Sequence, residues 1–362
     1  MSEMRLSMSS DQRGLSLVEL MISMTLGLIL TAGLVQIFVT NKQSFTLSRA
    51  VANVQESGRE GAMILGREIR NADYWGCISA ATSVQNNLNS GAPGDLLDFT
   101  RGLEIYPDTD SNNAIVDGSH VIMLRGVSGA PEVGVEKVPA ADSASLHVTD
   151  ASTFTEGDVL LVTDCENANI FQATNVNANG NDLIVHNTNT GKGFEPGNAI
   201  KTMPKKYTEN AKIYRPSVTR YSVQADDQGR RSLVVERALL ANNTGNADGY
   251  GNPVELVAEI RDMRSLIGVD TNDDLAVDEW RDPPTPGDAD AEDVLAQTLA
   301  VRVSLLVRSR DDSVSDDPVD VCFPGWLACT SAATGLQTPA DSALYREYSF
   351  TASIRNRIFG GN

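Results

Sequence analysis

The stretch "RGLSLVELMISM", residues 13–24, decides how the rest of the chain is read. Arg13 and Gly14 precede an apolar run from Leu15 to Thr40, in which Glu19 is the sole charge before Lys42. As a helix rising ~1.5 Å per residue, the run reaches about 39 Å, enough to cross the hydrocarbon core of a bilayer. An ionised carboxylate is costly there, and an intramembrane acid ordinarily has a partner and a task. The run is long for the apolar core of a cleaved secretory signal, and "LTAG" at 30–33 is a weak cleavage sequence. A plain signal anchor fits the length but leaves Glu19 unexplained. Arg5 and Arg13, ahead of the run, favour a cytoplasmic leader and an extracytoplasmic body.

"RG" followed by "LSLVEL" resembles the type III signal of type IV pilins and pseudopilins. The resemblance implies that a prepilin peptidase cuts between Gly14 and Leu15 and that the new N-terminus, Leu15, is N-methylated. Glycine leaves the backbone at the cut open to the protease. Glu19 stands fifth after the cut, where the family carries glutamate. The new α-amine is a cation at membrane depth, and a carboxylate is its natural counter-charge. The resemblance thus makes Glu19 an assembly carboxylate that meets the Leu15 amine of a neighbouring subunit.

Beyond Lys42 the helical pattern continues. Leu47, Val51, Val54, Gly58, Gly61, Leu65 and Ile69 recur at spacings of four and three, one stripe of a helix. Arg49, Glu56, Arg59, Glu60, Arg67 and Arg70 lie mostly off it. The first proline is Pro93, so a helix from 16 to 73, roughly 87 Å long, is expected. Its second half is expected to pack on the chain's own body, with small residues at 57, 58, 61, 62 and 66 admitting a close backbone. Many major pilins carry prolines in this helix where Gln36 and Glu56 stand here.

Across 362 residues, 29 Lys and Arg stand against 48 Asp and Glu, a formal net charge of −19. That balance argues against nucleic acid, whose affinity comes largely from cations on phosphates. After Cys77 the texture is of short strands: 120–126, 144–150, 158–164, 182–187, 220–225, 232–239 and 299–309, with 345–359 as the last. "ADDQGRR" at 225–231 predicts a hairpin, and 254–269 a strand-like stretch with a short turn. The acidic, proline-rich 280–293 is expected to be an exposed loop.

Four cysteines behind a membrane-targeting segment suggest two disulfides in an oxidising compartment. Cys322 and Cys329 enclose only "FPGWLA" and are paired on that ground, which leaves Cys77 with Cys165. In "GVDTNDDLAVDEW", 268–280, Asp270, Asn272, Asp274 and Asp278 match positions 1, 3, 5 and 9 of a calcium-binding loop. Leu275 replaces the needed glycine and Arg281 the bidentate glutamate, which argues against a true EF-hand. A non-EF calcium loop and a plain polar turn both remain readings of that stretch. No GxSxG, P-loop or HExxH occurs, and no catalytic residues are assigned.

"LIGVDTNDDLAVDEW", "LAVRVSLLVRS" and "YSFTASIRNR" resemble the C-terminal half of PilW-type minor pilins, and "DYWGC" with "VTDCENANIFQATNV" resembles its earlier part. "DTNDDL" departs from the glycine-bearing DxDGDG-like run usual there. The resemblance implies an α+β, pilin-like fold: a long N-terminal helix packed on a large β-rich domain. The expected division is a leader at 1–14, a transmembrane half-helix at 15–41, an amphipathic half at 42–75 and a body at 76–362. The body is expected to form two lobes divided near 205. The implied function is priming of type IV pilus assembly, and through it twitching motility and cell adhesion. The implied partners are prepilin peptidase, other minor pilins, the major pilin, a PilY-type tip adhesin and the bacterial inner membrane. The implied location is that membrane before assembly, with the body in the periplasm, and the pilus tip afterwards. A type II secretion pseudopilin and a pilin-anchored surface adhesin are the alternative readings.

Overall fold

Helix α1 runs from Leu17 to Asn71 without a break. No proline interrupts it, and the hydroxyls of Ser23 and Thr31 bond back along the helix rather than competing with it. The computed structural model describes residues 16–78, 84–89, 96–111, 113–127, 129, 133–137, 144–178, 180–188, 193–240 and 249–358.

After α1 come β1 (Val84–Asn86), β2 (Leu103–Pro107), β3 (His120–Val127), β4 (Val133–Lys137), β5 (Ser145–Val148), β6 (Val159–Thr163), β7 (Ala168–Gln172), β8 (Asn175–Asn177), β9 (Leu183–Val185) and β10 (Lys212–Tyr214). The second half holds β11 (Pro216–Ala225), β12 (Arg231–Arg237), β13 (Val254–Ala258), β14 (Ile260–Val269), β15 (Glu279–Arg281), α2 (Ala291–Ala296), β16 (Thr298–Arg308), β17 (Val321–Cys322), β18 (Leu336–Gln337), β19 (Tyr345–Ser353) and α3 (Arg355–Ile358). The sheets are ordered β1-β7-β6-β10-β4-β5-β9-β8, β13-β12-β11-β3-β2, β15-β14-β16-β19 and β17-β18.

The architecture is α+β, a long helix on a β-rich body. Three apolar clusters organise it. Val54, Leu65 and Ile69 of α1 share one core with Leu103, Ile122, Val223, Met263, Val303 and Leu305, so the helix closes a layer between two sheets. On its other face the five-stranded sheet packs Met123, Val127 and Val218 against Leu161 and Ile170 of the eight-stranded sheet. A third cluster, with Leu146, Leu160, Phe171 and Ile213, fills the eight-stranded sheet's own interior. β3 lies between the first two clusters and is buried along its whole length, which its unbroken "HVIMLRGV" anticipates.

β3 and β11 pair antiparallel, Val127 against Pro216, so the chain leaves the middle sheet at one and returns at the other. The eight-stranded sheet is built largely from that insertion, with β1 added to its edge beside β7. One expectation is corrected. The last strand ends at Ser353, because Ile354 turns inward and donates its N–H to Leu299, and a helical turn follows. The 280–293 stretch runs as a mostly exposed loop between the end of β15 and the start of α2, as expected, with Pro283 turned inward.

Candidate functional site: the free half of the long helix

From Ser16 to Arg49 every helix residue is exposed save the half-buried Thr46, and the first buried position is Ala50. Some 30 residues therefore project about 50 Å from the body. Between Glu19 and Lys42 no charge interrupts the surface, which presents Leu20, Met21, Ile29, Leu30, Val35, Ile37 and Phe38 on all sides. Apolar residues all around a helix mean that something other than water surrounds it. Three hydroxyls within this half bond back to the helix. Ser23 Oγ donates to Leu20 O at 3.0 Å, Thr25 Oγ1 to Ile22 O at 2.9 Å and Thr31 Oγ1 to Gly27 O at 2.7 Å. Hydroxyls bonded in this way suit a hydrocarbon environment. Glu19 is the charge in this stretch. It lies in the first turn and makes no ion pair among the described residues.

The second half meets the body through one stripe: Ala50, Val54, Gly58, Gly61, Leu65, Gly66 and Ile69. The glycines admit large side chains of the sheet rather than another backbone. A Cβ on Gly58 would stand 2.3 Å from the Tyr348 ring, and one on Gly61 2.9 Å from Leu305 Cδ1. Leu65 and Ile69 are fully buried, each stabilising the contact by roughly 2 kcal/mol. Burial and the Glu68 carboxylate push the Tyr221 phenol up, so that hydroxyl stays protonated beside the helix.

The C-terminal end of α1 is latched. Asp73, with φ 62°, accepts Trp75 Nε1 at 2.7 Å and Arg357 Nε at 2.6 Å. The Asp73 and Arg357 side chains are 3% and 8% exposed, so this is a buried ion pair. Arg357 Nη1 also donates to Thr298 O at 2.8 Å, and Asn356 Nδ2 donates to Ala72 O at 2.8 Å. Gly126 leaves the room the turn needs, since a Cβ there would stand 2.8 Å from Tyr74 O. Trp75 packs edge-on to Phe99, 6.1 Å between centroids. Cys77 bonds Cys165, tying the helix exit to the turn between β6 and β7, and Cys322 bonds Cys329. The latch thus fixes the direction in which the free half leaves the body.

Of the residues singled out from sequence, Gly14 and Leu15 lie outside the described residues. Asp270, Asn272, Asp274 and Asp278 do come together in one loop, but they are engaged with it. Asp270 accepts the amides of Asn272, Asp274 and Leu275, and Asp278 accepts Thr271 N and Asn272 Nδ2. Among the described residues no group of three or more His, Cys, Asp or Glu side chains is placed to hold a metal ion. The loop reads as a polar turn knitted by its own carboxylates. Sequence reasoning missed the latch. Its signal lay in the two quoted stretches "DYWGC" and "ASIRNR", each with a charge beside an apolar anchor.

Residues 220–356 match the family described as Type IV Pilus-assembly protein W, PilW. Residues 9–35 match the prokaryotic N-terminal methylation motif. Among solved structures, a type IV-like pilin from Thermus thermophilus aligns at 11% identity and a TM-score of 0.33, covering 85% of this chain and 96% of that one. No curated protein matches the chain.

Proposed function

The two matched segments support a PilW-type minor pilin, and from that premise we propose that the chain helps prime type IV pilus assembly. Prepilin peptidase cuts it between Gly14 and Leu15, and Leu15 is methylated. The free half of α1 holds it in the bacterial inner membrane with the body in the periplasm. During assembly that half passes into a bundle with the helices of other minor pilins and the major pilin, and the body sits at the pilus tip beside a PilY-type adhesin.

The observation that carries this reading is the free half itself: apolar on all sides, with one carboxylate unmatched five positions after the expected cut. A charge at bilayer depth costs about 3 kcal/mol on insertion scales. Cleavage supplies the cation that offsets it, an α-amine at Leu15. Neighbouring subunits offset along the bundle bring one chain's amine to the other's carboxylate. A head built from residues 76–362 is bulky to repeat along a packed filament and tolerable at its end.

The test is deletion and complementation in a piliated host. Loss of the chain should abolish surface pili while the major pilin stays in the inner membrane. The intact gene should restore them, and Gly14→Val should leave an uncut, membrane-retained precursor that does not. Normal piliation without the chain contradicts the priming role; normal maturation of the Gly14→Val chain contradicts the assigned cut.

A further inference from the structure

A cleft of about 370 Å³ opens where the β11–β12 hairpin, the outer face of the β14–β16–β19 sheet and the segment around β17 and β18 meet. Gly229, Arg231, Arg261, Gln337, Thr338 and Tyr345 line it, with Leu306, Val321 and Pro339 as apolar wall. The volume falls in the usual range for small-ligand sites, an apolar surface with a few converging polar groups.

Its arginines are not fully spent. Arg261 is the extra residue of a β-bulge: Ile260 pairs with Val307 and Asp262 with Leu306, leaving Arg261 opposite no partner. Bulges of this kind re-aim a side chain and recur beside functional sites. Arg261 Nε is buried without a hydrogen-bond partner. The guanidinium's nearest carboxylate, Glu259, stands 3.6 Å away, and Glu259 Oε2 is itself without a hydrogen bond. Arg231 spends Nη1 on the Arg261 carbonyl at 3.1 Å. The acid on the cleft wall, Asp341, is occupied by Arg308 through Nε at 3.0 Å and Nη2 at 2.6 Å. Desolvation and the nearby Arg308 charge hold Arg261 below its ordinary pKa, against the opposing pull of Glu259. Two guanidiniums, Arg231 and Arg261, thus line a cleft whose own acid, Asp341, is already paired with Arg308.

We propose that this cleft binds a carboxylate on a short apolar stem, held by the Arg231 and Arg261 guanidiniums with the Gln337 amide as a further polar partner. A planar guanidinium matches a carboxylate bidentately, and Leu306, Val321 and Pro339 match the methylenes behind it. The carboxylate comes from a free organic acid or from an acidic residue of a protein segment.

The full chain in detergent micelles, titrated with succinate while the thermal midpoint is followed, tests this. Succinamide serves as the uncharged control, and a short peptide with one glutamate and blocked termini as the second source. Succinate, the peptide or both should raise the midpoint saturably, and succinamide should not. Arg231→Gln, at the rim, and Arg261→Gln should each weaken the response about tenfold or more. Preference for the peptide identifies a protein source, and preference for succinate a free acid. No saturable response to either carboxylate overturns the proposal. So does an equal response to succinamide, or an unchanged response in a folded Arg231→Gln chain.

Discussion

Residues 17–49 and 50–71 belong to one continuous helix yet meet opposite surroundings. The first half exposes Leu, Ile, Val, Met and Phe on every side, whereas the second hides one stripe and shows its charges to water. Helix propensity does not separate them, because both contain glycines and β-branched residues. What separates them is what the body offers: Tyr348, Phe350 and Leu305 stand opposite Gly58, Gly66 and Gly61, and nothing lies within 4 Å of a Cβ at Gly27 or Gly33. A helix half with no partner in its own chain is stabilised by what it meets outside it.

Substitutions on the two sides should therefore behave differently. Asp73→Ala, at the latch, leaves Arg357 buried and unpaired and should destabilise the fold by about 3–5 kcal/mol. Denaturant unfolding of the full chain in detergent measures it, and a loss under 1 kcal/mol would mean that the latch is dispensable. Leu65→Ala should cost about 2–5 kcal/mol by opening a cavity in the shared core, whereas Leu28→Ala should leave unfolding within ~0.5 kcal/mol. Equal effects at Leu65 and Leu28 would erase the distinction between the halves.

Two buried histidines of the body make its stability depend on pH. Burial lowers His120 from the ordinary 6.5 to about 4, helped by the nearby Arg264, and burial lowers His186 likewise to about 4. Both imidazoles are neutral in the fold, so as pH falls through 6.5 the unfolded chain takes up protons first. Stability should drop by about 3 kcal/mol for each histidine between pH 6.5 and 4 and level off below. His186→Phe should flatten half of that slope. The smallest contrast is between glycines. Gly58→Ala presses on the Tyr348 ring and should cost about 1–3 kcal/mol, and Gly27→Ala should raise helicity by up to ~1 kcal/mol. Circular dichroism and unfolding read both.

The helix was legible because its signals are local: an apolar run, a four-three stripe and no proline before Pro93. The hairpin at Asp226–Arg230 and most strands were legible for the same reason. The insertion between Val127 and Pro216 was not, since which strand lies beside which is settled by packing between distant segments. Asp73 and Arg357 meet across 284 residues, and nothing in either stretch names the other. The turn at 355–358 was hidden because "SIRNR" continues the alternation of β19 in pattern alone. Arg261 was hidden too, since a bulge shows only once the register of β14 against β16 is known.

The most direct test of the central claim is Glu19→Val, scored in the same cells for membrane insertion, cleavage and surface pili. The account predicts normal insertion and cleavage, because only an unfavourable charge is removed, together with a severe loss of pili. Wild-type piliation in that strain would contradict the pairing of Glu19 with a neighbour's amine.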